Sequence, residues 1–166
     1  MLSINNLQSL IQDWKVTVVD FVVSSNDTDR LAEYALHLSR ILAYPDLDVS
    51  SKLTELDSMG EELKQSIKKL LPLRPTQLIE KINNYLFKDK GFKANIQDYY
   101  NPMNSYLNIV LQHKSGIPIT LSIIYIRIAH ALNFKLYPVN FPRHFLVKYV
   151  LDDVDNNEII IDPFNQ

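Results

Sequence analysis

Four histidines, His37, His113, His130 and His144, are the side chains of this 166-residue chain best suited to moving protons near neutral pH. No two of them stand four residues apart, the spacing that sets a pair of imidazoles on one helical face for zinc. Cysteine is absent, so thiolate nucleophiles, zinc–thiolate sites, iron–sulfur clusters and disulfides are all excluded. The run Asp153-Val154-Asp155-Asn156-Asn157 opens like a calcium loop. Glu158, however, occupies the glycine position and Phe164 the position of the bidentate glutamate, so a solvated turn is the better reading. Gly60, Gly91 and Gly116 are too dispersed for a phosphate-binding loop or a dinucleotide fingerprint. No metal and no cofactor is expected.

His144 and Asp162 are the residues with the most chemical promise. His144–Val150 and Glu158–Ile161 alternate with the period of strands and flank the acidic loop Asp152–Asn157, which predicts an antiparallel hairpin. Centred on Asp153, that hairpin would set His144 directly opposite Asp162, with Cβ atoms about 4.5–5.5 Å apart. A carboxylate at that range can fix the imidazole tautomer and raise its basicity, the orienting half of a catalytic triad. Slipping the register by one residue would put the two on opposite faces. The alternative is an ordinary histidine satisfied by a neighbour.

The elements that must position this pair are mostly helical. Leu2, Leu7, Leu10, Ile11 and Trp14 fit a helix face, and the β-branched run Val16–Val23 leaves residues 1–29 a helix-leaning extension. Residues 30–166 read as one domain. Leu31, Tyr34, Ala35, Leu38, Ile41 and Leu42 mark a helix stopped before Pro45, and Leu53 to Leu70 mark a second over 51–71. Thr76 can cap a third, and Asn104–His113 suits a short fourth. Pro118–Leu132 is apolar nearly all round, which predicts a helix buried at the centre of the fold. Arg127 and His130 share one face of it, which should meet a polar boundary, and Thr120 lies on nearly the same stripe. Lys135–Asn140 adds a strand before the hairpin. The sum is an α+β fold: a helical N-terminal half and a central buried helix packed on a small antiparallel sheet.

Composition limits the partners. Seventeen Lys and Arg stand against 19 Asp and Glu, a net charge of −2, which gives no global excess for nucleic acid or an anionic membrane. No segment is long and apolar enough to cross a bilayer, and no targeting signal stands out, so a cytoplasmic protein is expected.

Several ordered motifs carry a resemblance. Leu42-Ala43-Tyr44-Pro45-Asp46-Leu47-Asp48, Gly91-Phe92, Asn95 with Asp98-Tyr99-Tyr100-Asn101-Pro102, Asn104-Ser105-Tyr106-Leu107, Gly116-Ile117-Pro118, Asn140-Phe141-Pro142-Arg143-His144 and Ile161-Asp162-Pro163-Phe164 resemble the bacterial SirB-like branch of the transglutaminase-like superfamily. The likeness spans roughly residues 30–165 and implies a papain-like core. In active members a cysteine begins the central helix, a histidine follows on a strand and an aspartate on the next. His144 matches the histidine and Asp162 the aspartate. The cysteine slot falls at about Pro118, within a few positions that admit Thr120 and Ser122. None of these is a cysteine, and a hydroxyl lacks the thiol's ready ionisation. Arg143 replaces the usual glycine before the histidine, and Ala94 the usual glycine before Asn95. Many relatives continue past the Asp-Pro-Phe motif into helical repeats.

Two functions follow as expectations. The first is a catalytically degenerate transglutaminase-like domain that binds another protein or regulates it. The second is a hydrolase or acyl transferase using Ser122 or Thr120 with His144 and Asp162. Thr120 and Ser122 are two apart on a helix, so at most one can face the histidine, and Ser122 is the better placed. Arg143, Tyr99, Tyr100, Asn101 and Asn104 are candidates to line the cleft. For the tyrosines and asparagines the alternative is a turn capped by Asn and Ser side chains beneath packed rings.

Overall fold

A computed structural model of the chain describes Gln8 and residues 28–141, 144–152 and 157–166. The expected N-terminal helix, Arg143 and the hairpin centre at Asp153 lie outside the described residues. Helix α1 spans Leu31–Leu42 and α2 spans Val49–Ile67, with the Asp48 side chain accepting from the Ser51 amide at 3.0 Å to cap α2. A 3₁₀ turn, Lys68–Leu70, ends it. Helix α3 spans Pro75–Asn83 and runs into a π-type turn, Asn84–Asp89.

The cap of α3 differs from the expectation. Arg74 is the N-cap residue, its amide bonded to the Gln77 side chain at 3.0 Å, while Thr76 lies inside the first turn. Pro75 decides this. Its fixed φ and missing N–H suit the first helical position, which moves the start one residue ahead of Thr76.

A 3₁₀ turn, Pro102–Ser105, leads to α4, Leu107–His113, whose first amide donates to Ser39 Oγ on α1 at 3.2 Å. Two short strands, β1 (Lys93–Ala94) and β2 (Ser115–Gly116), pair in parallel just ahead of α5, Pro118–Ala131. The chain closes with an antiparallel sheet in the order β3 (Tyr137–Phe141), β4 (His144–Asp152), β5 (Asn157–Ile161). The architecture is mixed helix and sheet, with helices before the sheet in sequence and α5 between the two.

Helix α5 packs against α2 on one side and β4 on the other. Ile124, Tyr125, Ile126, Ile128 and Ala129 are all buried along it. The α2 contact is close because Gly60 has no side chain: a Cβ there would stand 2.6 Å from the Cβ of Ala131. Tyr125 buries its ring and donates its hydroxyl to Asn83 Oδ1 on α3 at 2.9 Å, and burial raises its phenol above the usual range.

The polar boundary of α5 forms at Arg127 and His130. Arg127 grips Asp57 of α2 with Nε and Nη2 at 2.7 and 2.9 Å and the Asp29 carbonyl with Nη1 at 2.7 Å. His130 Nε2 lies 3.1 Å from Asp29 Oδ2. Thr120 does not share this boundary. The 3₁₀ turn Pro102–Ser105 covers the start of the helix, so Thr120 is buried and its hydroxyl turns to the carbonyls of Asn104 and Ile117 at 3.1 and 3.2 Å. Ile119, on the helix expected to be buried nearly all round, is instead 42% exposed on the uncovered side of that first turn.

Ile124 and Ile128 have 1% and 0% of their surface exposed. Replacing either with alanine removes buried methylenes and leaves a cavity, which should cost about 2–5 kcal/mol in urea denaturation. Losses below about 1 kcal/mol at both positions would mean that α5 is peripheral to the core.

Candidate functional site

His144 opens β4 and Asp162 follows directly after β5. Val147 pairs with Ile161, Lys148 with Ile160 and Tyr149 with Ile159, so the hairpin register differs by two residues from one centred on Asp153. Continuing that register sets Asp162 beside Leu146, with His144 diagonal to it. Because the displacement is two and not one, the pair stays on a single face. Diagonal neighbours are within reach of a ring-bearing side chain. The imidazole spans the gap, with His144 Nε2 3.0 Å from Asp162 Oδ2 and both side chains 28% exposed.

Asp162 is fixed by the turn that follows it. Its Oδ1 accepts from the amides of Phe164 and Asn165 at 3.0 and 3.1 Å, and the Gln166 amide closes on the Asp162 carbonyl at 2.9 Å. This is an Asx-type turn, the local structure that an Asp-Pro pair favours. Asn165 Nδ2 donates to Asp162 Oδ2 at 2.7 Å and also lies 3.1 Å from His144 Nε2. A carboxylate can only accept, so the proton between His144 and Asp162 belongs on Nε2. The lone pair is thereby assigned to Nδ1, where the Phe145 amide approaches at 3.2 Å. With its proton facing Asp162 and its lone pair facing the Phe145 amide, the ring is held in one orientation.

Neither hydroxyl proposed from the sequence is free to serve this ring. Pro118 occupies the first position of α5 and has no nucleophilic atom. Thr120 Oγ1 accepts from the Ile117 amide at 3.1 Å, and its one proton is shared between the Asn104 and Ile117 carbonyls. Ser122 is wholly buried, and its hydroxyl points across the seam between α5 and β4 to the Phe145 carbonyl, 3.5 Å away. Ser122 therefore lies beneath the strand that carries His144, out of contact with solvent.

The cleft candidates separate. Tyr99 lies edge-on to Phe164 at 5.9 Å, and Phe164 lies edge-on to the His144 ring at 6.4 Å, so Tyr99 belongs to the wall of the site. Tyr100 packs on Tyr99 at 5.2 Å and is 93% exposed. Asn101 and Asn104 instead knit the loop. Asn101 accepts from the Met103 amide and donates to Asp98, and Asn104 bonds Asn95 and the carbonyls of Asp98 and Tyr99. Both border a cavity of about 260 Å³ shared with Asn95 and His113, whose lining does not include His144. Among the described residues no three His, Asp or Glu side chains cluster closely enough to hold a metal ion. Sequence reasoning did not single out Phe164 and Asn165 as site residues. The turn signature Asp162-Pro163-Phe164-Asn165 was the available signal, since an Asx turn brings the residue three positions on back to the carboxylate.

Replacing Asp162 with alanine removes the acceptor that holds the Nε2 proton and two turn amides. Nitrogen-15 NMR of the imidazole should then change from one Nε2–H tautomer to a mixture, with about 1–3 kcal/mol lost from stability. An unchanged tautomer signal would show that the carboxylate does not orient the ring.

Comparison with known proteins agrees with this arrangement of elements. The transglutaminase-like superfamily profile matches residues 50–166. A UPF0162 protein of Xylella fastidiosa is 40% identical over 122 residues, covering 74% of this chain and 42% of that protein. A UPF0162 protein of Haemophilus influenzae is 31% identical over 119 residues, covering 71% and 43%. F-box only protein 21 of Mus musculus is 43% identical over 74 residues, covering 45% of this chain and 12% of that protein. The chain thus spans about two-fifths of the length of the UPF0162 relatives it matches. No solved structure matches the chain. With the profile covering 50–166, helices α2 to α5 and the whole antiparallel sheet, the chain belongs to the transglutaminase-like superfamily.

Proposed function

We propose that this transglutaminase-like domain is a catalytically degenerate binding module, acting in the cytoplasm, that holds a segment of another protein against the surface around His144. The observation that carries this reading is an oriented His144–Asp162 pair beside a helix whose first residue is Pro118. Acyl transfer needs an attacking atom that the base can deprotonate, within about 2.6–3.2 Å of it. Pro118 offers none, and the hydroxyls of Thr120 and Ser122 are buried and turned to carbonyls. What stays accessible is recognition chemistry. His144 and Asp162 are partly exposed, Asn165 is exposed, and Tyr99 and Tyr100 present aromatic edges and hydroxyls. Aromatic rings beside a few polar groups are the composition that protein recognition sites favour.

Peptides selected from a random display library provide the probe. In NMR titrations the shifts should centre on His144, Tyr99 and Phe164, and a His144→Ala/Tyr99→Ala variant should bind at least tenfold more weakly. Nitrophenyl esters and a glutamine-donor peptide with a primary amine should show no turnover that depends on His144. Selected peptides that bind elsewhere, or His144-dependent release of nitrophenol, would contradict the reading.

Restoring the missing atom tests the scaffold. In Pro118→Cys the new thiol should react with iodoacetamide at pH 6–7 several times faster than in Pro118→Cys/His144→Ala, because a histidine partner raises the thiolate fraction. Equal rates would place the base out of reach of the slot.

A further inference from the structure

The net charge of −2 conceals a local excess of the opposite sign. Residues 63–79, which run from the end of α2 through the connecting loop into the start of α3, carry Lys64, Lys68, Lys69 and Arg74 and no Asp or Glu. Lys64 reaches back to Glu61 at 3.6 Å, while Lys68 and Lys69 make no ion pair among the described residues. Between two anchors, Ile67 buried in the core and Leu73 packed against it, the five residues from Lys68 to Pro72 are all exposed. Two of those five are leucines, Leu70 at 51% and Leu71 at 48%. An apolar pair at the tip of a projecting loop, collared on both sides by cations, needs a partner that is both anionic and able to take up leucine side chains.

We propose that this α2–α3 loop docks on an anionic lipid bilayer, with Leu70 and Leu71 entering the interface and Lys68, Lys69 and Arg74 lying among the headgroups. Four clustered Lys and Arg side chains reach the number that attracts a protein to acidic lipid. The shape of the loop favours a bilayer over an acidic protein. Projecting leucines require a ready pocket in a protein partner, whereas a fluid interface accepts them without one. None of these residues touches His144 or Asp162, so the proposal stands apart from the peptide-binding reading. The expectation of no membrane partner rested on net charge and on the lack of a spanning segment, and neither registers a local cluster of this kind.

The test is sedimentation of the whole chain with vesicles of phosphatidylcholine, alone or with 30% phosphatidylglycerol. Binding should require the anionic lipid, weaken as salt rises, and fall at least tenfold in both Lys68→Glu/Lys69→Glu and Leu70→Ser/Leu71→Ser. All four side chains are exposed, so both variants should keep the wild-type circular dichroism and melting temperature. Because the chain has no cysteine, Leu71→Cys can carry a single environment-sensitive dye, whose emission should shift to the blue on anionic vesicles only. Failure to sediment with anionic vesicles at low salt would overturn the proposal. So would binding that the leucine pair does not affect, which marks simple charge adsorption. Retention on polyglutamate or RNA without retention on vesicles would also overturn it, and would assign the loop to a polymeric partner.

Discussion

A helix that is apolar on nearly every face must be enclosed on nearly every face, and α5 imposes that demand on the rest of the chain. Leaving Ile124, Ile126 and Ile128 in water would forgo about 1.5–3 kcal/mol each, a large share of a domain's net stability. The chain meets the demand with α2 on one side and the sheet on the other. Close approach to α2 requires Gly60, because any side chain there collides with Ala131. Where α5 must meet polar surroundings, Arg127 supplies a two-pronged contact to Asp57. Ser122 directs its hydroxyl at a β4 carbonyl, so the same helix that fills the core also seats the strand that begins at His144.

The candidate site follows from that seating. Once β4 lies on α5, β5 pairs with it, and the Asx turn after β5 brings the carboxylate back to the imidazole. Asp162 serves the fold and the site together, since one oxygen closes the turn while the other orients His144. The contacts of Asp162 within the turn are thus enough to hold it in place whether or not the pair has a chemical role. Phe164 joins the same turn to the aromatic wall, which ties the shape of the site to the packing of Tyr99.

How much of this the residues disclose depends on the period that carries the signal. Helices α2 and α5 are legible because their apolar residues recur over many turns. The two-residue strands β1 and β2 are too short to hold a pattern, and only the fold around them brings Lys93 beside Ser115. The His144–Asp162 contact was legible through parity: alternation fixes which face a residue occupies, whereas the partner along that face depends on the turn and on the irregularity between Val150 and Asp152. Thr120 and Ile119 were misplaced for one reason. A helical wheel treats the first turn like any other, but the 3₁₀ turn Pro102–Ser105 covers one side of it and leaves the other open. Asn101 and Asn104 lie in a stretch chosen by resemblance, yet side-chain type alone does not separate a residue that lines a cleft from one that ties a loop.

The proposed degeneracy requires that His144 activate no hydroxyl of this chain. A fluorophosphonate, which bonds covalently to serine and threonine hydroxyls only when a neighbouring base activates them, tests it most directly. Intact mass after incubation should equal that of the untreated chain. A single adduct on Ser122 or Thr120 that disappears in His144→Ala would contradict the claim and make this domain a hydroxyl-dependent acyl transferase or hydrolase.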